Sequence, residues 1–380
     1  MRRATDAERE RLNETFAALC RIESPSGHER PCADRVTHEL RALGLNVEED
    51  DAGAVAQSDA GNLLARLPGA RPQSILLCAH LDTVPPLAPI DPVLVDGGWE
   101  NAGEGILGAD NKAAIAVLIE LARHFAGRGA TPPVGIELLF TVSEENGLRG
   151  AQAFDTSRVS SEFGYVFDHA SPIGGIVVAA PTYDQIVAVF HGRAAHAGIR
   201  PEEGRSAIAA AARAIAAMRL GRLDAETTAN VGTIAGGTAT NVVPERCRIG
   251  AEVRGLDDAR VAAVVTEIVD HLQDAANEAE CDLDVSVERQ FQAYRSKPSA
   301  PHIVAATRAL EACGYQPHHL VTGGGSDANA FQAAGLPCAN LADGTERNHE
   351  PGERISVNAL ESMLEVAISL LDAAGEVVAA

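Results

Sequence analysis

The feature that most constrains this fold is an alternation of apolar strand patterns with helix patterns along much of the 380-residue chain. Apolar runs at 62–67, 74–79, 134–142 and 164–167 predict strands, and the dense apolar positions of 112–125 predict a largely buried helix. Strands that alternate with helices are typical of an α/β fold with a mostly parallel sheet. A chain of this length also has room for more than one domain.

The alternation is interrupted near residue 182. From there the patterns predict a strand, a helix, two strands, a helix and a strand, at 185–191, 204–218, 230–234, 247–254, 257–280 and 283–289. This order is typical of a two-layer βαββαβ unit of the ferredoxin-like kind, about the size of a small domain. We therefore expect a discontinuous first domain at 1–181 and 291–380, with an inserted domain at 182–290.

Composition and charge exclude several classes of protein. The net charge of −22 argues against nucleic acid or an anionic membrane as a partner. No apolar run approaches the length of a membrane span, and segment 1–13 is charged and lacks the apolar core of a secretory signal. The seven cysteines are scattered and form no C-x-x-C pair, which is typical of reduced thiols. We expect a soluble, cytoplasmic protein.

The segment 85–108, rich in proline and glycine, is predicted to be a long loop. The stretch 107–112 places the Asp110 carboxylate where this loop enters the helix predicted at 112–125. Taken alone, Asp110 or Asn111 is explained by a helix N-cap. Other polar residues follow predicted strand ends or lie in a loop: His80, Asp82, Glu144, Glu145, Asp168 and His349. Each of these also has an ordinary structural explanation when it is taken alone. Because ligands bind at the carboxyl edge of open α/β sheets, we expect these side chains to lie together.

Five of these residues form a set of candidate metal ligands. They are two imidazoles, of His80 and His349, and three carboxylates, of Asp110, Glu145 and Asp168. This mixture suits zinc or a similar divalent ion. Two divalent cations would be balanced by three carboxylates and one hydroxide, whereas a single cation would be over-neutralised. The sequence therefore predicts a two-metal site.

Asp82 and Glu144 have separate predicted roles. His80 and Asp82 are two residues apart in extended chain, so they share a face, and a carboxylate beside an imidazole fixes the tautomer of a metal-bound histidine. In a two-metal site the pKa of a bound water falls towards about 7, which makes it a nucleophile. Glu144 is adjacent to Glu145 but points elsewhere, so it is free to act as general base and then as the acid that protonates a leaving amine.

These motifs have a recognisable order and spacing along the chain. They are His80-x-Asp82, Gly108-Ala109-Asp110-Asn111-Lys112, Ser143-Glu144-Glu145-x-Gly147, Asp168, His196-Ala197-Gly198 and His349. Together they resemble the cocatalytic two-zinc peptidases of the aminoacylase, carboxypeptidase and peptidase T superfamily, and the resemblance covers nearly the whole chain, including the insertion.

The resemblance implies a role for each residue of the site. Asp110 would bridge the two metals, with His80 and Asp168 completing one ion and Glu145 and His349 completing the other. Asp82 would orient His80, and Glu144 would be the general base. The first domain would then be the catalytic domain.

The inserted domain resembles the lid of that superfamily, through which subunits pair. By this resemblance His196 would stabilise the oxyanion of the intermediate, and Asn241 and Arg254 would hold the substrate, with Arg254 gripping a carboxylate. Gly324 and Gly325 would line the pocket with backbone. An exposed loop histidine, a turn asparagine and a strand-end arginine paired to a nearby aspartate remain the structural alternatives.

Within the superfamily the likeness is to peptidase T. Aspartate rather than glutamate at position 168 resembles the aminopeptidase branch, whereas the stretch 347–351 departs from the peptidase T pattern. We expect a homodimeric aminopeptidase, of tripeptidase type, with two Zn²⁺ per subunit, Co²⁺ or Mn²⁺ as possible substitutes, and a metal-bound hydroxide as nucleophile. The alternatives are an N-acyl-amino-acid amidohydrolase or carboxypeptidase on the same scaffold, a non-catalytic protein that binds peptides or amino acids, and a dimerising scaffold.

Overall fold

The computed structural model describes residues 3–127 and 131–378. Contacts divide the chain into two compact units. The first unit comprises Met1–Val178, Ser296–Val321 and Ser326–Ala380, and the second comprises Ala179–Arg295 and Thr322–Gly325. Whether these units are the independent domains expected from the sequence stays a prediction.

Ten α-helices are present in the described part of the chain. In chain order they are α1 (Asp6–Cys20), α2 (Arg30–Ala42), α3 (Gly53–Ala56), α4 (Ala109–Gly127), α5 (Arg149–Ala153), α6 (Ala207–Ala217), α7 (Asp258–Glu278), α8 (Pro301–Ala312), α9 (Asp327–Ala333) and α10 (Val357–Val377). Their starts follow local chemistry: Thr5 and Glu8 form a capping box at α1, and Ser356 caps α10. In α4, Asp110 and Asn111 have non-helical backbone angles, so regular helix begins beyond them.

The strands fall into three sheets. In chain order they are β1 (Val47–Glu49), β2 (Leu63–Leu67), β3 (Ser74–His80), β4 (Pro92–Val95), β5 (Gly98–Asn101), β6 (Gly135–Thr141), β7 (Ser161–His169), β8 (Gly175–Ala180), β9 (Thr182–His191), β10 (Gly221–Arg222), β11 (Thr227–Gly236), β12 (Arg246–Gly255), β13 (Asp282–Phe291), β14 (Tyr294–Arg295), β15 (His318–Val321), β16 (Cys338–Ala342), β17 (Thr345–Glu346) and β18 (Arg354–Ser356).

The main sheet of the first unit has the order β1-β2-β6-β3-β7-β16-β8, and β15 also pairs with β8. Its centre, β6-β3-β7-β16, is parallel, whereas β2 and β8 flank that centre in antiparallel pairings. The predicted α/β fold with a mostly parallel sheet is confirmed. The carboxyl ends of β6, β3 and β7 lie side by side, which brings the polar residues that follow them to one edge.

The segment 85–108, which the sequence predicts to be a loop, contains a β-hairpin. Strands β4 and β5 pair through a turn at Asp96 and Gly97, both with positive φ, and join β18 and β17 in a four-stranded sheet. The expectation of a loop is therefore wrong for this part. An Asp-Gly pair between apolar residues is a strong hairpin signal, but the prolines and glycines around it mask the signal.

The second unit is built on a five-stranded antiparallel sheet with the order β10-β11-β12-β9-β13. Helices α6 and α7 bury their apolar faces in a separate core with this sheet, in which Phe190, Ile249 and Val264 take part. The predicted βαββαβ order is confirmed, and β10 is an additional two-residue strand.

The state of the cysteines and the polarity of the helices can also be compared with the expectations from the sequence. All seven cysteines are free thiols. Across residues 3–127 and 131–378, every helix is too short or too polar to span a bilayer.

Candidate metal centre

His80, the last residue of β3, lies at the middle of the cluster of predicted ligands. Its ring is about 1% exposed. Nε2 lies 3.1 Å from Oδ1 of Asp110 and 3.6 Å from Oδ1 of Asp168. Nδ1 lies 3.0 Å from the carbonyl oxygen of Asp82, so a neutral ring that donates there presents its Nε2 lone pair to the carboxylates.

Asp82 makes this contact through its backbone more closely than through its carboxylate, which is 3.4 Å from Nδ1 of His80. The carboxylate instead accepts the N–H groups of Glu144 at 3.0 Å and Glu145 at 3.1 Å, and the hydroxyl of Ser26 at 2.6 Å. Asp82 therefore holds the loop that follows β6, in addition to contacting His80. The sequence did not predict these contacts of the Asp82 carboxylate with Ser26, Glu144 and Glu145.

Asp110 lies between the two histidines. Its Oδ1 faces His80 at 3.1 Å, and its Oδ2 lies 3.2 Å from Nε2 of His349. Asn348 donates to the same Oδ2 at 2.9 Å. The two oxygens of one carboxylate thus face two different imidazoles, which is the arrangement required of a bridging ligand.

Glu145 and His349 form the other side of the cluster. Nε2 of His349 lies 3.0 Å from Oε1 of Glu145. That oxygen is buried, and apart from its contact with His349 it is an orphaned acceptor within residues 3–127 and 131–378. The His349 side chain is 49% exposed, and its φ is +67° in the loop between β17 and β18. One face of the cluster is therefore open to solvent.

Asp168 is placed by an irregularity in the sheet. The register between β7 and β16 shifts beyond Phe167 and Leu341, so that Asp168 is an extra residue in its strand. Asn340 holds it there: its Oδ1 accepts the Asp168 N–H and its Nδ2 donates to the Asp168 carbonyl, each at 2.9 Å. A strand-end residue is thereby aimed at His80.

The electrostatics of the cluster are unfavourable without added positive charge. Burial raises the pKa of Glu144 well above its ordinary value, and the Asp168 carboxylate adds to this shift. Burial and then Asp110 raise the pKa of Asp168 in the same way. Burial would lower the pKa of His80, but Asp110 and the other carboxylates raise it well above its usual range. Hydrogen bonding to carboxylates, Asp110 first, raises the pKa of His349 to about 10.

The donor set fits divalent metal ions. Ligand atoms of His80, Asp110 and Asp168 lie within 4.8 Å of one another, as do those of Asp110, Glu145 and His349 and those of His80, Glu144 and Glu145. The first two groups share Asp110, and their nitrogen and carboxylate donors are those that zinc accepts. The orphaned oxygen of Glu145 and the buried negative charge would both be satisfied by cations.

The predicted substrate-binding residues all lie in the second unit. His196 is exposed, and its Nδ1 accepts the N–H of Gly198 at 3.2 Å, which leaves the proton of a neutral ring on Nε2. A short bridge joins His196 to Val242, next to Asn241. His196 and Asn241 therefore lie in two adjoining segments, and their proposed roles stay predictions.

Arg254 is partnered within its own unit. Its guanidinium contacts the Glu252 carboxylate at 3.2 Å, donates to the carbonyl of Gly323 at 3.2 Å and stacks 4.4 Å above the ring of Tyr183. Gly325 packs so closely on Phe291 that a Cβ there would lie 2.4 Å from the ring. The pairing to a neighbouring aspartate that the sequence left open is replaced here by pairing to a glutamate.

Several buried polar residues of the first unit support the cluster without having been predicted. Glu29 accepts the N–H of Ser143 at 3.0 Å, and Glu353 accepts three N–H groups of the loop that ends at Asp110. A weak signal existed for Glu353, because it lies four residues after His349. Nothing in the local sequence pattern distinguishes Glu29 from a solvated acid at a helix start.

Comparisons with known proteins find similar peptidases. The model for Peptidase family M28 matches residues 62–171, and that for the Peptidase dimerisation domain matches residues 184–280. Aminopeptidase PepT from Bacillus cereus is 38% identical, with a TM-score of 0.86 over 96% of this chain and 98% of that chain. A tripeptidase from Staphylococcus aureus is 32% identical, with a TM-score of 0.90 over 97% and 99%. Peptidase T of Vibrio cholerae is 27% identical over 90% of both chains.

Proposed function

This chain belongs to the peptidase T-like metallopeptidases, and from that premise we propose that it is a two-zinc aminopeptidase that removes the first residue of short peptides, tripeptides among them. The observation that carries the proposal is the position of Asp110, whose Oδ1 faces His80 at 3.1 Å and whose Oδ2 faces His349 at 3.2 Å. A carboxylate shared in this way suits a pair of cations. His80 and Asp168 would hold one of them, and Glu145 and His349 the other.

The chain's own residues would perform the proton transfers. Two divalent cations held by these ligands would supply a water of lowered pKa and a Lewis acid for the scissile carbonyl. Glu144 is the proposed proton carrier, because the residue is about 8% exposed and burial raises the pKa of its carboxyl group, which makes it a stronger base. It takes the proton from the attacking water and gives it to the leaving amine. Asp82 keeps Glu144 in reach by accepting its backbone N–H.

The second unit would bind substrate and pair subunits. The match to a peptidase dimerisation domain over 184–280 supports a homodimer formed through this unit. His196 would donate its Nε2 proton to the developing oxyanion, since its Nδ1 already accepts the N–H of Gly198. Asn241 and Arg254 would hold the peptide, with Gly324 and Gly325 lining the pocket.

A panel of blocked substrates tests which bond is cut. The zinc-loaded protein is given a free tripeptide, the same peptide N-acetylated, the same peptide as its C-terminal amide, and an N-acetyl amino acid. An aminopeptidase releases the first residue of the free and amidated peptides and leaves the N-acetylated peptide intact. Release of the last residue from the N-acetylated peptide would establish a carboxypeptidase instead, cleavage of the N-acetyl amino acid an amidohydrolase, and no cleavage at all a binding protein.

The role of Glu144 is tested by Glu144→Gln, which keeps the shape and removes the base. We expect turnover to fall by about 10²-fold to 10⁴-fold, the usual contribution of a positioned general base, with zinc content unchanged. The control is Glu137→Gln, which makes the same change at a buried glutamate of β6 that serves Ser160 and Ser161. A Glu144→Gln protein as active as the control would remove this mechanism.

A further inference from the structure

Glu353 is a buried acid to which the proposed function gives no part. Its side chain is about 1% exposed, and its carboxylate accepts three backbone N–H groups of one loop. Oε2 accepts those of Leu107 and Gly108 at 2.8 and 2.7 Å, and Oε1 accepts that of Asp110 at 2.9 Å. Both oxygens are therefore occupied by the loop that ends at the shared metal ligand.

This loop depends on Glu353 for acceptors. Residues 102–108 lie between β5 and α4, outside the strands and helices that would pair their backbone groups. Gly108 has a φ of +74°, and Asp110 has non-helical angles. Buried N–H groups need acceptors, and a carboxylate accepts more strongly than a neutral carbonyl. Glu353 thus holds a backbone conformation that the local sequence does not hold by itself.

Glu353 is itself firmly anchored. It immediately precedes β18, in which Ile355 pairs with Trp99 of β5. It also follows the turn that carries His349, whose Nε2 lies 3.2 Å from Oδ2 of Asp110. One side chain therefore links the segment that carries His349 to the segment that carries Asp110.

We propose that Glu353 is a positioning residue for the metal pair: by fixing the backbone of Leu107, Gly108 and Asp110, it sets the orientation in which the Asp110 carboxylate is shared between two cations. This rests on the proposed function in one respect, because it takes Asp110 as the bridging ligand. Glu353 itself touches neither metal nor substrate in this scheme.

The test is the zinc affinity of Glu353→Gln, measured by competition with a chromophoric chelator in the absence of substrate. An amide offers one accepting oxygen and turns an NH₂ group towards the remaining N–H donors, so the loop loses part of its support. Residues that support metal ligands typically change metal affinity by about 10-fold to 100-fold when they are replaced, and we expect a rise of that size in the zinc dissociation constant. Glu353→Asp keeps both oxygens on a shorter stem and should recover part of the affinity.

Glu137→Gln is the matched control, since Glu137 is about 3% exposed and accepts a backbone N–H from Ser160 at 2.9 Å. It should lower the melting temperature and leave zinc affinity within about twofold of the parent, a margin well inside the expected effect. Folded Glu353→Gln protein with parental zinc affinity overturns the proposal. If Glu353→Gln does not fold, Glu353→Asp decides by the same measurement: weakened zinc binding supports the proposal and parental binding overturns it.

The failure of the proposed function has a different signature. If the parent binds zinc but cuts no peptide, the aminopeptidase proposal fails while the comparison of zinc affinities still decides the role of Glu353. A parent that binds no divalent ion refutes both.

Discussion

The placement of Asp168 by Asn340 gives a prediction whose size follows from the structure. Asn340 is about 3% exposed and makes two hydrogen bonds of 2.9 Å to the backbone of Asp168, one as donor and one as acceptor. Asn340→Ala removes both. A buried polar group left without a partner costs about 1–3 kcal/mol, so two groups predict a loss of about 2–6 kcal/mol. Because these two hydrogen bonds are only partly buried, we expect the lower part of that range, about 2–3 kcal/mol.

The same substitution should affect metal binding. Asp168 is the extra residue in β7, and Asn340 is the side chain that fixes its direction. Without Asn340, the Asp168 carboxylate no longer points reliably at His80. We expect the zinc dissociation constant to rise about 10-fold. The free energy of unfolding is measured by urea denaturation of metal-free protein, and zinc affinity is measured separately by chelator competition.

Asn13→Ala is a suitable control. Asn13 donates to the carbonyl of Arg9 at 2.9 Å and to Glu361 at 3.1 Å, and it accepts from Trp99 at 2.8 Å. Its loss should also destabilise the protein while zinc affinity stays at the parental value. If Asn340→Ala binds zinc as tightly as the control does, then Asp168 either is held by other contacts or is not a ligand, and the reasoning is refuted.

Two further predictions concern packing and pH. Gly325→Ala should destabilise the protein by about 1–3 kcal/mol, because the added Cβ would lie 2.4 Å from the Phe291 ring, whereas Gly323→Ala, with open space at its Cβ, should change the melting temperature little. Equal effects of the two would contradict the packing. Burial lowers the pKa of His302 to about 4, below the unfolded value of 6.5, so the unfolded chain binds the proton first and stability falls as the pH drops from 6.5 towards 4. Over that pH range the free energy of unfolding of His302→Gln should fall by about 3 kcal/mol less than that of the parent. Urea denaturation at several pH values measures both, and equal losses would count against this pKa.

The ligands could be predicted from the sequence because strand ends leave a local signal. Apolar runs that stop at His80, Thr141 and Phe167 mark where three neighbouring parallel strands end, and the polar residues beyond them must meet at one edge. Asp110 could be included among the predicted ligands because its carboxylate immediately precedes an apolar helix pattern. The βαββαβ insertion was also predictable, since its periodicity changes near residue 182.

The contacts that orient these ligands could not be predicted in the same way. Asn340 acts through a register shift between β7 and β16, and no local pattern encodes the register of a strand pairing. The contact of His80 with the carbonyl of Asp82 depends on backbone that turns away from the strand after His80. Sequence periodicity gives the face on which a side chain lies, whereas these contacts depend on where a turn directs one oxygen.

A common physical reason explains which acids hold the ligand-bearing loops. A ligand at a strand end is followed by backbone that has left the sheet, so its N–H groups lose their strand partners while they remain buried. Glu29 accepts the N–H of Ser143, Asp82 accepts those of Glu144 and Glu145, and Glu353 serves the loop before Asp110. Each of these three acids is at most about 1% exposed. Because a buried carboxylate is costly unless it is hydrogen-bonded, and a buried N–H needs an acceptor, acid and loop stabilise each other. The sheet cannot hold these loops, because they lie beyond the ends of its strands. The rigidity that a metal site needs therefore comes from these acids.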